Sequence, residues 1–357
     1  FDTLINNFSS QDLEDIREIE SRTNHDVKSI EYFIKNQIES KDEFKDIVKY
    51  KELVHFALTS QDINSVSNSI LLRRSIEGVI VPKIKSIISL LIEYSDMWSH
   101  KVMMSKTHGQ PAVTTSMGKE IKVFIERLLR QVELLDNFSY TTKLGGAVGN
   151  LNAHYFCYEN INWDKKLENF LFKSFNLYRN RYTTQIDHYD NFSEVFDIIK
   201  RINIILIDLN QDFWTYISQN YFILKKKEGE VGSSTMPHKI NPINFENSEG
   251  NLYLANTLLN MMSQKLPISR LQRDLTDSTI TRNIGVALSY SLLAYQSLEI
   301  GLSKIEINQD SLNSDLDDNW CILTEAIQCI MKTELKENAY EAMKEVSRGN
   351  KINKEEY

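Results

Sequence analysis

Residues that interrupt helices are scarce in this sequence: 12 glycines and 5 prolines among 357 residues. No proline falls between Pro111 and Pro237, and no glycine between Asn150 and Glu228. Both residue types break helices, so their absence leaves long stretches free to be helical. Cysteine is equally sparse. Cys157, Cys321 and Cys329 are odd in number and fit no zinc spacing, which excludes a disulfide framework and points to free thiols in a reducing cytosol. No apolar run approaches the ~18 residues of a membrane span, so no membrane partner is expected. The opening segment FDTLINNFSSQDLEDI lacks the basic-then-apolar order of a signal peptide. It also lacks an initiator Met, and the chain is expected to begin inside a longer protein. Positive charge is in deficit, with a net charge of -8. That argues against nucleic acid as a partner and leaves any anion site to a few placed Lys and Arg.

What is present is helical periodicity. Ile84, Ile87, Ile88 and Leu91 recur at three and four, as do Ile121, Phe124, Leu128, Val132 and Leu135. A third set runs Val195, Ile199, Ile202, Leu206, Leu209, Phe213 and Ile217, about six turns at ~3.6 residues each. Helices this long usually pack side by side as bundles. Alternating strand patterns are hard to find, and the fold expected is all-α with long central helices. The Lys/Glu-rich tail from Lys332 to Tyr357 reads as a solvated helical end.

Five segments break this periodicity with small and polar residues, where local rules are often broken for function. In GEVGSSTMPHKINPINFENSEGN (Gly229 to Asn251), Gly229 and Gly232 permit hinge motion. Ser233, Ser234 and Thr235 supply hydroxyls there, and Lys239 and Asn241 follow. In SKTHGQPAVTTSMGKE, His108 precedes Gly109 and Pro111. A break there lets its ring face a cleft, and an imidazole titrating near ~6.5 suits proton transfer. In SRTNHDVKSIEYF, Asn24 or Asp26 serves either as an N-cap or as a ligand contact, and His25 reads as a ligand contact. In HFALTSQDINSVSNS, Thr59 and Ser60 suit a helix N-terminus whose amides also suit an anion. In LPISRLQRDLTDSTITRN, Arg270, Arg273 and Arg282 cluster with Ser278 and Thr279. Arginine suits bidentate contact with phosphate or carboxylate; ion pairs with Asp274 and Asp277 are the alternative. The Gly-rich string LGGAVGN (Leu144 to Asn150) fails the GxGxxG spacing and follows no strand pattern. It reads as a flexible substrate-facing turn. No HExxH, Walker or Ser-His-Asp string occurs.

Taken together, these strings resemble the adenylosuccinate lyases of the fumarase/aspartase superfamily, in particular the bacterial-type branch. TNHDVKSIEYF, LTSQDIN, KTHGQPA, GGAVGN, YTTQI, GSSTMPHKINPINFENSEGN and QRDLTDSTITRN stand in that family's order. LTSQDIN and QRDLTDST separate this branch from fumarase, aspartase and argininosuccinate lyase. The resemblance runs from about Ile19 to about Lys351. It implies a three-domain fold: an N-terminal helical domain over 1–50, incomplete at its start; a central long-helix bundle over 51–302; and a C-terminal helical domain over 303–357, incomplete at its end. It further implies a cytoplasmic homotetramer whose active sites are shared between subunits. The reaction implied is fumarate elimination from a succinylated purine nucleotide, with no metal and no cofactor.

By the same resemblance Ser233 is the base and His108 the acid. Asn24, His25, Asp26, Thr59, Ser60 and Gln185 are substrate contacts, as are Lys239, Asn241, Asn247, Arg273, Ser278 and Arg282. His55 matches a further position near the site. The family's Arg-Tyr phosphate contact would precede Phe1 and has no counterpart in this sequence. Two other functions stay in play: a different superfamily lyase, such as argininosuccinate lyase, and a non-catalytic helical relative.

Overall fold

A computed structural model describes residues 2–350 and 352, excluding 227, 228, 230, 231, 233 and 234 and the side chain of Thr3. The chain forms two compact units interleaved along the sequence: residues 1–76, 138–193 and 264–281 make the first, and 77–137, 194–263 and 282–357 the second. Helices dominate both. Among the described residues no helix is long and apolar enough to cross a membrane.

In the first unit local capping sets where helices start and stop. Ser9 and Asp12 form a capping box at the head of Ser10–Thr23, satisfying amides that have no intrahelical partner. Asn24 ends that helix in the left-handed region, φ 50°, a conformation its short amide tolerates. The cap of the next helix, Asp26–Ser40, is neither Asn24 nor Asp26 but His25, whose Nδ1 accepts from the Lys28 amide at 3.2 Å. Thr59 caps Ser60–Ser75, as the sequence suggests, and its amide donates to Asp62 at 2.8 Å. Val27, Phe33 and Ile38 on Asp26–Ser40 are buried. At about 1.5–3 kcal/mol for each fully buried large side chain, such contacts outweigh the caps.

The second unit holds the long helices Val81–Met97, Met117–Asp136 and Ile284–Ser303, with Asp190–Ser218 from Glu194 onward and Ile243–Lys265 as far as Ser263. The periodic sets read from the sequence are their buried faces: Ile84, Ile87, Ile88, Leu91, Ile121, Phe124, Leu128, Val132 and Leu135 are all buried. Gly118 lets two of these helices close up, since a Cβ there would collide with the Ser95 carbonyl and Ser99 backbone. One layer of this apolar interior is polar. The Asn203 amide donates to Asn256 Oδ1 and Ser291 Oγ, both at 3.0 Å, and accepts from the Tyr295 hydroxyl.

Among the described residues, three two-stranded pairs accompany the helices, which the sequence did not suggest. The largest is an antiparallel hairpin, Val102–Thr107 with Gln110–Ser116. The pair carries a bulge between Met104 and Lys106, which breaks the period-2 pattern that would announce a strand. The two-residue turn is His108-Gly109, with φ 54° and 72°. Two positive φ values match the twist of a tight hairpin.

Candidate functional site

In the first unit, three helix ends bring polar groups together. His25 Nε2 lies 3.4 Å from Ser60 Oγ, joining the TNHD and LTSQ segments. Asp26 accepts from the Val27 amide at 2.8 Å. His55 adopts φ 66° in the turn before Thr59. Burial lowers the pKa of its imidazole, opposed by the nearby Glu31 carboxylate.

Beneath these groups lies a charged core that sequence inspection did not single out. The side chains of Asp62 and Lys143 are fully buried, with Lys143 Nζ 2.6 Å from Asp62 Oδ1. Asp62 also accepts from the amides of Thr59 and Gly145 at 2.8 Å and from that of Gly146 at 3.1 Å. Lys143 in turn donates to the Gly146 carbonyl at 2.7 Å. Burial drives the Lys143 pKa down, and the Asp62 carboxylate pulls it back. The GGAVGN string, expected as a flexible turn, is therefore tied to the head of Ser60–Ser75. Gly149 packs so closely that a Cβ would collide with the Thr183 carbonyl. Asp62→Ala would strand the Lys143 charge in the interior. The expected cost is about 3–5 kcal/mol, read as a lowered denaturant midpoint. Removing both charges as Asp62→Ala with Lys143→Met is expected to recover much of it. An unchanged midpoint for the single variant would refute this account.

A second cluster in this unit gathers Gln185, Arg273 and Ser278. The Gln185 backbone amide donates to the Gln272 carbonyl at 3.2 Å, which fixes the segment before Arg273. Arg273 Nη2 donates to Ser278 Oγ at 3.1 Å. Arg273 also lies 3.7 Å from Asp277 Oδ1, and the Tyr189 hydroxyl donates to Asp277 Oδ2 at 3.0 Å. The ion-pair reading of this segment therefore also holds, including Arg270, which is exposed and pairs with Asp274 at 3.3 Å.

In the second unit His108 stands at the hairpin tip, exposed, with no hydrogen bond or ion pair among the described residues. Behind it, Lys106 reaches Gln219 Oε1 at 3.3 Å and Asp315 at 3.7 Å, anchoring one strand. Ser233 and Ser234 lie outside the described residues. The segment that follows them is ordered by its own contacts. Asn241 Nδ2 donates to the Gly232 carbonyl at 3.1 Å, and a Cβ at Gly232 would collide with the Lys239 carbonyl. A cavity of about 680 Å³ lies here, lined by Lys225, Lys226, His238, Lys239, Asn241 and Lys304 among others. Lysines dominate its charge, which suits an anionic ligand. Asn247 is one turn into Ile243–Lys265 and accepts from Asn251 at 3.0 Å. Arg282 is exposed just before Ile284–Ser303.

Comparison with known proteins adds the deciding observation. The family described as Lyase matches residues 1–255, and the adenylosuccinate lyase C-terminal family matches residues 269–357. The adenylosuccinate lyase of Dictyostelium discoideum is 49% identical over 346 residues, covering 96% of this chain and 73% of the relative. The chain belongs to the adenylosuccinate lyase family. The adenylosuccinate lyase of Haemophilus influenzae is 46% identical, covering 98% of this chain and 76% of that protein. Among solved structures, a fumarate lyase from Mesorhizobium sp. BNC1 superimposes with a TM-score of 0.77 at 15% identity, covering 96% of this chain and 75% of that one. At that identity the likeness concerns the fold alone, and it agrees with the all-α, fumarase-like architecture.

Against the family's motifs, the described residues join His25 to Ser60 and Arg273 to Ser278. Among the described residues of its own unit, His108 meets none of the other motif residues through a hydrogen bond or ion pair. The adenylosuccinate lyase strings also hold the buried carboxylates of these two clusters: Asp62 in LTSQDIN and Asp277 in QRDLTDST. The sequence offers Asp277 as an ion-pair partner of the arginines, but it does not show the pairings Asp62–Lys143 and Asp277–Tyr189, whose members stand 81 and 88 positions apart by their numbers.

Proposed function

We propose that this chain eliminates fumarate from adenylosuccinate, giving AMP, and from the succinylated aminoimidazole carboxamide ribotide, giving the free carboxamide ribotide. The observation that carries the reading is the 49% identity with an adenylosuccinate lyase over 96% of this chain. The reaction breaks a C–N bond and makes the double bond of fumarate. In the proposed mechanism Ser233 takes a proton from the carbon beside a carboxylate. Lys239 and Asn241 hold that carboxylate as negative charge develops on it; fixed donors of this kind are worth about 3 kcal/mol each. His108 gives a proton to the departing nitrogen.

Asn24, His25, Asp26, Thr59, Ser60, Gln185 and Asn247 are proposed to contact substrate, with His55 beside them. Arg273, Ser278 and Arg282 are proposed to take the phosphate. The two clusters of the first unit support this division, because each presents polar groups next to a helix start. A free hydroxyl is a poor base, so Ser233 needs loop amides, Lys239 and exclusion of water to lose its proton. Part of our proposal is that this happens in a cytoplasmic homotetramer, where neighbouring subunits complete each site, and that the chain divides into the three helical domains 1–50, 51–302 and 303–357.

The test is fumarate release on adding adenylosuccinate to the purified chain, with argininosuccinate as a parallel substrate. Turnover of adenylosuccinate alone is expected. Turnover of argininosuccinate instead, or of neither, would refute the proposal.

A further inference from the structure

Resting on the reading of Arg273 as a phosphate contact, we propose that Tyr189 and Asp277 are positioning residues that aim the Arg273 guanidinium at the nucleotide phosphate. The geometry is specific. Tyr189 is 2% exposed and Asp277 5%, so neither meets a ligand in bulk solvent. The Tyr189 hydroxyl donates to Asp277 Oδ2 at 3.0 Å. The other oxygen, Oδ1, is buried without a hydrogen bond and faces Arg273 Nη2 at 3.7 Å. Nη2 donates instead to Ser278 Oγ at 3.1 Å. Nη1 has no acceptor among the described residues, and Nε is buried without one. The guanidinium is thus gripped on one edge only, in a side chain 19% exposed.

A planar guanidinium needs its fork turned correctly to bind a phosphate by two parallel bonds. Asp277 fixes that rotation through charge. Tyr189 fixes Asp277, because its hydroxyl occupies one carboxylate oxygen and leaves the other toward the arginine. The tyrosine is itself constrained: it adopts φ 57° immediately before Asp190–Ser218 and packs edge-on against Phe192 at 5.6 Å. Burial, followed by the Asp277 carboxylate, drives its phenol pKa upward, so the hydroxyl stays a donor across the working pH range. The pair joins the segment of Gln185 to the segment of Arg273, consistent with the backbone bond from Gln185 to Gln272.

The experiment compares competitive inhibition by AMP and by adenosine, which differ by the phosphate, in the full assembled chain. Tyr189→Phe keeps the ring and removes the hydrogen bond. It is expected to weaken AMP about tenfold, the scale of one hydrogen bond to a charged group, with adenosine much less affected. Asp277→Asn is expected to act in the same sense, and it decides the matter if Tyr189→Phe does not fold by circular dichroism. Equal losses for AMP and adenosine, or no loss for either, would overturn the positioning role. Arg273→Lys separates the two ideas. If it selectively weakens AMP while the other two variants do not, the phosphate contact stands and the positioning pair falls. If Arg273→Lys spares AMP, both fall.

Discussion

Replacing His108 with glutamine is expected to lower turnover by about 10²- to 10⁴-fold, the range for loss of a general acid, without a matching loss of folding stability. The stability half of this expectation follows from where the residue sits. His108 is exposed at the tip of a two-residue turn and makes no hydrogen bond or ion pair among the described residues. The hairpin beneath it is held by its own ladder and by Lys106 against Gln219 and Asp315. Glutamine preserves polarity and length but cannot deliver a proton to a departing nitrogen. Rates of fumarate formation, measured beside a thermal melt, separate the two effects. Near-normal turnover with an unchanged melt would remove His108 from the mechanism.

Ser233→Ala is expected to lower turnover by on the order of 10³-fold or more, as losses of a proton-transferring or nucleophilic side chain do, while AMP still binds. The described residues nearby in sequence carry contacts of their own. The carbonyl of Gly232 is held by the Asn241 amide, and Gly232 itself lies against the Lys239 carbonyl. These contacts involve backbone and neighbouring side chains, so loss of one hydroxyl leaves them in place. Calorimetry with AMP beside the fumarate assay provides the check. A variant that turns over normally would exclude Ser233 as base, whereas one that loses AMP affinity to the same degree as turnover would make it a binding group instead.

The long helices were legible because one-sided burial writes itself into spacing. Ile121, Phe124, Leu128 and Val132 recur every three or four residues, and all four are buried on Met117–Asp136. The hairpin was not legible. Its strand Gln110–Ser116 is largely exposed or half-buried, so no alternation of apolar residues was required of it. Helix caps lay between these cases. Thr59 was read correctly from its type, whereas His25 displaced Asn24 and Asp26 as the cap through its ring nitrogen. The polar motif residues were found by their motifs. The distant partners that hold two of those motifs in place, Lys143 on Asp62 and Tyr189 on Asp277, were not, because only the folded chain brings them together.

The polar layer at Asn203 has a consequence for the bundle as a mechanical object. Apolar helix faces slide past one another at modest cost, since one leucine resembles the next. A ring of Asn203, Asn256, Ser291 and Tyr295 works like a tooth in a notch: any axial slip strands several amides and hydroxyls away from water, each at a cost of about 1–3 kcal/mol. The rods therefore have a single resting height, and whatever chemistry stands at their ends inherits it.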